Sequence, residues 1–477
     1  MSDFLVEAGR NPQMRKAISA LGLPLSLPQA LARPSGPWTE QPLQDKNVLI
    51  ASPGGALSEA LAVALAPMGA NPWVVAYDDA SLAPFAGPGE AYGRPAKGIG
   101  LEDEIDVRPN ALIFDATGLT QVSELEAVHR FFRPRVRALA RCGRVIVLAR
   151  PPQGPGSIEA GVAARAFGGF IRSVGKEIGR YGSTANLIHV AEGAEGRLAA
   201  ALRFFLSGRS AFVSGQEITL TDAVKASEPR WVRPLEGKVA LITGAARGIG
   251  AATARAMSAE GATVLVLDRP ADDGPASQVA RELGAPAPLL FDITDPDTPA
   301  GLVEALKAHG GADIIVHNAG ITRDKTLGRM KPDWWDLALD VNLGAVVRTT
   351  HAILESGALN EHGRVICLTS VAGLAGNVGQ TNYATAKAGL VEFVRRLGAE
   401  LAPSGSTANA IAPGFIETRM TAAIPPVTRE ARRRLSSLSQ GGLPEDVANA
   451  LTFLASPGAD GINGQVLRVC GGSFLGA

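Results

Sequence analysis

Cysteine is scarce in this 477-residue chain: three residues, Cys142, Cys367 and Cys470, with no CxxC pair among them. That excludes a disulfide scaffold and a cysteine-built zinc site, and predicts inert thiols in a reducing compartment. Histidine numbers six. His309, His317, His351 and His362 are scattered, so they are expected to be structural or solvated and no metal centre is expected. Charge of one sign is missing too, since 46 Lys and Arg balance 46 Asp and Glu. Neither nucleic acid nor an anionic membrane surface is an expected partner. Long hydrophobic runs are also absent. The most apolar stretch, Val48 to Ala66, is broken by Pro53, Gly54, Gly55 and Glu59, so no membrane span is expected. Asp3 and Glu7 stand where a secretory leader needs an apolar core, and the expected location is the cytoplasm.

Glycine is plentiful, with 55 residues, and the composition of 46% hydrophobic and 19% charged residues is that of a globular protein with ample core. The length suits two domains. The chain also repeats itself. KNVLIA (46–51) matches KVALIT (238–243), and ALIFDATGLT (111–120) matches DIIVHNAGIT (313–322). GRVIVLAR (143–150) matches GRVICLTS (363–370), GSTAN recurs at 182–186 and 405–409, and LRFFLS (202–207) matches LTFLAS (451–456). Five pairs in conserved order mark a degenerate tandem repeat. Each unit alternates apolar strands with helical stretches, the βαβ pattern of a parallel sheet covered on both faces. The predicted fold class is α/β: two tandem doubly wound parallel-sheet, Rossmann-like units, the first degenerate. The predicted division is an N-terminal arm at 1–40, a degenerate Rossmann or flavodoxin-like domain without a cofactor site at 41–230, and a catalytic domain at 231–477. Prolines 24, 28, 34 and 37 suggest that the arm lies on the surface.

Chemistry is expected in the second unit. Thr243-Gly244-Ala245-Ala246-Arg247-Gly248-Ile249-Gly250 follows a strand directly. Gly244 suits a tight turn, Gly248 a close backbone approach to pyrophosphate, and Gly250 close packing of helix on strand. The next strand ends in Asp268, whose carboxylate suits ribose hydroxyls and repels a 2′-phosphate, arguing for NAD(H). Arg247 and Arg269 weigh the other way. Tyr383 and Lys387 stand four apart on one predicted helical face, where a cation favours the phenolate. Ser370 closes a strand at the sheet edge where ligands bind, with its hydroxyl available to a reacting oxygen.

Together with Asn318-Ala319-Gly320, Asn342, and Pro413-Gly414 followed by Thr418, these motifs resemble the ordered set of short-chain dehydrogenases/reductases. AGITRDKTLGRM (319–330) and PGFIETRM (413–420) resemble the 3-oxoacyl-[acyl-carrier-protein] reductases. The leader LGLPLSLPQALARP, WVRPLEGK and the ending VCGGSFLGA resemble that family's high-molecular-weight branch. The resemblance implies hydride transfer from NADH, with NADPH as the alternative, to the keto group of a 3-oxoacyl-CoA or 3-oxoacyl-carrier-protein thioester; the alternatives are another alcohol or ketone class on the same machinery, or a cofactor-binding pseudoenzyme scaffold. It makes Tyr383 the general acid, its pKa lowered by Lys387. Ser370 would polarise the keto oxygen and Asn342 would station a relay water. Gly244, Arg247, Gly248, Ile249, Gly250, Asp268, Asp292, Ile293, Asn318, Ala319, Gly320, Tyr383, Lys387, Pro413, Gly414, Ile416 and Thr418 would contact the cofactor. It also implies a homodimer paired through the Tyr383 helix, where Ala384, Ala386, Ala388 and Gly389 allow close approach.

The first unit lacks these parts. Its glycine turn reads Ala51-Ser52-Pro53-Gly54-Gly55-Ala56-Leu57-Ser58, and Pro53 has no N–H for a phosphate. Ala160 and Ala164 stand at the Tyr and Lys positions, Arg150 at the Ser position, and Ala76, with Asp78 nearby, at the ribose position. It also lacks the stretch FIETRMTAAIPPVTREARRRLSSLSQ, which in the resembled family is the substrate lid. A scaffold is therefore expected, with a binding module for a carrier protein or another partner as the rival. Two basic carrier-docking positions, which in that family flank the active-site mouth, read Glu361 and Ser404. Arg395, Arg396 and Arg432-Arg433-Arg434 are candidates to compensate, although an arginine run on a helix is more simply a solvated face. CoA thioesters are expected to serve at least as well as carrier-protein ones.

Overall fold

The computed structural model describes residues 3–10, 13–14, 27–77, 80–103 and 106–473. Pro24, Asp78 and the last residues of VCGGSFLGA lie outside them. The chain builds two seven-stranded parallel sheets. The first comprises β1 (Asn47–Ala51), β2 (Asn71–Ala76), β3 (Lys97–Gly100), β4 (Ala111–Asp115), β5 (Arg144–Ala149), β6 (Thr184–Val190) and β7 (Gln216–Leu220). The second comprises β8 (Val239–Thr243), β9 (Thr263–Asp268), β10 (Leu289–Leu290), β11 (Ala312–His317), β12 (Leu359–Leu368), β13 (Thr407–Pro413) and β14 (Val466–Val469). The strand orders are β3-β2-β1-β4-β5-β6-β7 and β10-β9-β8-β11-β12-β13-β14, the same doubly wound order twice. Central strands such as Arg144–Ala149 and Ala312–His317 are buried along their whole length. Helices cover both faces of such a sheet, which is why its strands read as unbroken apolar runs.

Seven helices matter here: α1 (Ser58–Leu65), α2 (Ile158–Ile178), α3 (Leu198–Leu206), α4 (Gly248–Ala259), α5 (Thr381–Leu401), α6 (Pro426–Arg434) and α7 (Pro444–Ala455). In α7 every residue from Asp446 to Ala455 is buried. A helix buried all round needs cover on both sides, and the first unit supplies the second cover. Phe204 of α3 stacks on Phe453 of α7 with ring centroids 4.4 Å apart and 1° between planes. Both are the third residue of their repeat, so equivalent positions meet each other, as across a two-fold axis. The edge strands β7 and β14 also meet. The Gln465 side chain brackets Thr219, accepting its N–H at 2.8 Å and donating to its carbonyl at 2.6 Å. Thr221 N–H donates to the Gly461 carbonyl and Gly471 N–H to the Phe212 carbonyl, two bonds that are near images under the same axis. One hydrophobic cluster runs through both units.

The described part of the arm does more than lie on the surface. Arg33 grips Asp446 through two bonds of 2.8 Å, and Trp38 N–H donates to the buried Glu260. The Ala30 carbonyl accepts from the Cys142 thiol, and the Gln29 carbonyl accepts from Gln440. These bonds strap the first unit to the second.

Candidate active site

In the second unit the strand order reverses between β8 and β11, and the crevice beyond their carboxyl ends is where such sheets bind ligands. A cavity of about 600 Å³ lies there. Gly244 has φ +66°, so the chain can turn sharply as β8 ends. Gly250 sits in the first turn of α4, where a Cβ would come within 2.1 Å of the Gly244 carbonyl oxygen. Only glycine lets the helix start this close to the strand. Gly248 faces open space, with Thr418 the nearest group at 4.0 Å from a hypothetical Cβ. An open glycine cradle at a helix N-terminus fits a diphosphate. Asn318 holds the loop by donating to the Thr243 and Gly244 carbonyls at 2.9 and 3.0 Å.

The predicted residues converge on this cavity. Gly244, Arg247, Gly248, Ile249, Asp268, Asp292, Ile293, Asn318, Ala319, Gly320, Ser370, Tyr383, Lys387, Pro413, Gly414, Ile416 and Thr418 all line it. Gly250 packs behind it. Asn342 stands in a π-turn at Asp340–Gly344, fully buried. Its amide donates to the Ile321 and Ala338 carbonyls at 2.9 and 2.8 Å and accepts from Ile321 N–H at 3.3 Å.

Ser370 caps the short helix Val371–Ala375, its Oγ accepting from Ala372 N–H at 3.1 Å. Tyr383 stands in the first turn of α5 and is hydrogen-bonded to Ser370. Its phenol is pushed above its usual range by burial, which outweighs the lowering effect of Ser370. This departs from the expectation of a lowered Tyr383. The reason is where the Lys387 ammonium goes: it lies 5.7 Å from the phenol ring centroid and donates to the Leu368 carbonyl at 2.7 Å. Burial brings Lys387 itself down to about 8. A phenol so placed can serve as a proton donor.

Several features were not foreseen. Asn382, buried beside Tyr383, ties α5 to the Arg323 and Trp334 carbonyls at 3.1 Å each. Ile321, Leu337, Val341 and Met420 give the cavity an apolar flank. Asp272, four residues beyond Asp268, pairs with both Arg247 and Arg269. The string DRPAD was the only signal for it in the sequence.

Three surface expectations are corrected. Glu361 sits near the start of β12 and Ser404 just past the end of α5. Ser370 follows the end of β12, and Tyr383 begins α5. Each pair is therefore separated by most of its element, roughly 30 Å. Within one chain Glu361 and Ser404 lie at the opposite sheet edge and do not flank the mouth. The arginine run is not a solvated face. Arg433 is buried and clamps Glu417 through Nη2 at 3.0 Å, and Arg434 clamps Asp3 of the arm at 2.8 and 2.9 Å. Arg395 and Arg396 are both paired with Glu392.

The corresponding crevice of the first unit is closed by its own anion. Asp115 is fully buried and accepts Ser52 Oγ at 2.7 Å, Leu57 N–H at 3.0 Å, and the Thr117 N–H and hydroxyl at 3.0 and 2.6 Å. A carboxylate thus takes donors of the loop that would otherwise face a phosphate. His317, at the same repeat position in the second unit, bonds Thr350 at 2.9 Å and is depressed to about 4 by burial and then by Lys387. Among the described residues no three His, Cys, Asp or Glu side chains gather as a metal would require, and no helix is long and apolar enough to cross a membrane.

Known proteins match the second half of the chain. A family model described as enoyl-(acyl carrier protein) reductase matches residues 244–473. The 3-oxoacyl-[acyl-carrier-protein] reductase of Escherichia coli (strain K12) is 42% identical over 242 residues, covering 50% of this chain and 98% of that protein. The enzymes of that name from Thermotoga maritima and Pseudomonas aeruginosa are 41% and 42% identical, each covering 50% of this chain and 99% of its own length. A solved short chain dehydrogenase from Burkholderia cenocepacia J2315, in complex with NADP, is 34% identical, with a TM-score of 0.47, covering 50% of this chain and 98% of that one. Identity above 40% across nearly the whole of those reductases leaves no ambiguity of kinship: this chain belongs to the short-chain dehydrogenase/reductase family.

Proposed function

We propose that the second unit reduces 3-oxoacyl thioesters to 3-hydroxyacyl thioesters, with NADH preferred and NADPH as the alternative cofactor. The observation that carries this is the gathering of Ser370, Tyr383 and Lys387 on one cavity with the Gly244–Gly250 loop, in a chain half of which is 42% identical to a 3-oxoacyl-[acyl-carrier-protein] reductase. The Gly244–Gly250 loop and the N-terminus of α4 would hold the diphosphate, and Asp268 the adenosine ribose. Bound there, the nicotinamide supplies the hydride that becomes the new C–H bond at C3. Tyr383 donates its phenolic proton to the keto oxygen as charge develops there. Ser370 donates a hydrogen bond to the same oxygen and so favours the polarised carbonyl. Lys387, anchored on the Leu368 carbonyl, sets the field around the phenol. The Asn342 carbonyl oxygen and the Lys387 ammonium both face Gly320, and the proton lost by Tyr383 is replaced from solvent between them. The apolar flank at Ile321, Leu337, Val341 and Met420 receives the acyl chain.

CoA thioesters serve at least as well as carrier-protein thioesters. The arginines that would greet an acidic carrier are occupied: Arg433 and Arg434 hold the lid, and Arg395 and Arg396 share Glu392. The first unit acts as a scaffold. Its Phe212 ring fills a slot left by Gly442 and Gly471, where a Cβ would come within 2.5 and 2.6 Å of the ring, so it supports the base of the lid. In this reading residues 1–40 are a strap, 41–230 the scaffold and 231–477 the catalytic unit, and two chains pair through α5.

The test follows absorbance at 340 nm with purified protein and acetoacetyl-CoA, with NADH and NADPH run in parallel. Rapid oxidation of NADH and slower oxidation of NADPH is the expected result. No oxidation of either, with acetoacetyl-CoA or with a 3-oxoacyl carrier protein, would overturn the substrate class.

A further inference from the structure

The adenosine end of the cavity is crowded with charge. Asp268, Arg247, Arg269, Asp272 and Asp292 all line it. Asp268 is already engaged by backbone, its Oδ2 accepting Ala246 N–H at 2.9 Å and its Oδ1 accepting Arg269 N–H at 3.0 Å. The two arginines are the groups able to receive a 2′-phosphate, and both are turned onto one carboxylate. Arg269 reaches Asp272 through Nη2 at 2.7 Å and Nε at 3.2 Å, and Arg247 bonds the other oxygen of the same group. Asp272 is held in the turn Pro270–Asp272 with its side chain only 14% exposed, whereas Arg247 and Arg269 are 44% and 59% exposed. The carboxylate is thus the fixed member, and the guanidinium groups come to it.

We infer that Asp272 sets the cofactor preference by sequestering Arg247 and Arg269, so that the site rejects a 2′-phosphate despite having two arginines beside it. This rests on the reading of the cavity as a dinucleotide site. For a 2′-phosphate to be held, each arginine must exchange a carboxylate bond for a phosphate bond of the same charge-assisted kind, which gains little. The incoming dianion also meets Asp268, Asp272 and Asp292 against two cations. Removing Asp272 balances these charges and leaves both guanidinium groups free to receive the phosphate. An unphosphorylated ribose still finds Asp268, so its binding barely changes. Asp272 is a positioning residue in this account, since it acts through the arginines.

The test uses the full-length protein and fragments without nicotinamide, so that no thioester turnover is required. Affinities for ADP-ribose and 2′-phospho-ADP-ribose are measured by calorimetry for the wild type, Asp272→Asn, Asp272→Ala and Arg247→Ala. The Asp272 variants are expected to bind the phosphorylated fragment about tenfold tighter or better, with ADP-ribose within about threefold. Adding Arg247→Ala to Asp272→Ala should remove much of that gain. In the wild type Arg247→Ala alone should hardly change binding of the phosphorylated fragment. Unchanged affinity for it in both Asp272 variants overturns the inference. So does a large loss in Arg247→Ala alone, which would mean that the arginine is free already. Because these are binding ratios, a chain that fails to reduce 3-oxoacyl thioesters still answers the question.

Discussion

The two units share a strand order and differ at nearly every position that chemistry needs. At the glycine turn, Gly250 has no side chain where the first unit carries Ser58. Behind the turn, a buried histidine, His317, becomes a buried aspartate, Asp115, which accepts hydrogen bonds from the loop itself. On the long helix, Tyr383 and Lys387 become Ala160 and Ala164. The sheet survives all of this because its stability comes from apolar burial on both faces, which does not depend on the crevice at one edge. What the first unit keeps is the surface that packs on its sibling, where Phe204 meets Phe453. An interface of equivalent positions is what two copies of one chain would form, here within a single chain.

This contrast can be broken or sharpened at specific residues. The largest effect is expected at the reacting centre. Tyr383→Phe should lower kcat by about 10²- to 10⁴-fold while leaving NADH affinity within a few-fold, measured by steady-state kinetics and by fluorescence titration. Undiminished turnover would remove Tyr383 from the chemistry. Next is the interface. Phe453→Ala should cost about 3–5 kcal/mol of stability in urea unfolding. Its effect should be strongly non-additive with Phe204→Ala, because the two rings contact each other. Additive costs would mean that the units stand independently. Gly250→Ser, which writes the first unit's residue into the second, forces a side chain against the Gly244 carbonyl. It should cost about 1–3 kcal/mol and abolish NADH binding, whereas Ser58→Gly should create no site in the first unit. The smallest effect concerns His317. Its folded pKa, about 4, lies below the unfolded value of 6.5. The unfolded chain therefore takes up a proton first as pH falls, and stability is lost between about 6.5 and 4. Between pH 7.5 and 5.5 this amounts to on the order of 1 kcal/mol. His317→Gln should lose that part of the difference between the two pH values.

The tandem architecture was legible because buried parallel strands are continuous apolar runs, and because the motifs recur in order along one chain. Much of the cavity lining was legible for a related reason: Gly244, Asp268, Asn318, Ser370 and Gly414 each lie at or just past a strand end, where this sheet opens, and Tyr383 and Lys387 stand at helical spacing on one face of α5. What could not be read was which groups pair across elements. Arg247 and Arg269 looked free because Asp272 is an ordinary acidic residue in a turn until the fold brings all three together. Arg433 and Arg434 looked like a solvated run because their partners, Glu417 and Asp3, lie 16 and 431 residues away in sequence. Nor does the sequence show that the Lys387 ammonium is anchored on the Leu368 carbonyl. The distance of Glu361 and Ser404 from the mouth, in contrast, is legible in the sequence. Counting along β12 and α5 puts both at the far edge from Ser370 and Tyr383.

In the proposed function one unit binds the cofactor and the other supports it. Calorimetric titration of the full-length protein with NADH reads this directly. The account predicts one site per chain, lost in Gly250→Ser and unaffected by substitutions at Ser52 or Ser58. Two sites per chain, or a single site that survives Gly250→Ser, would contradict it.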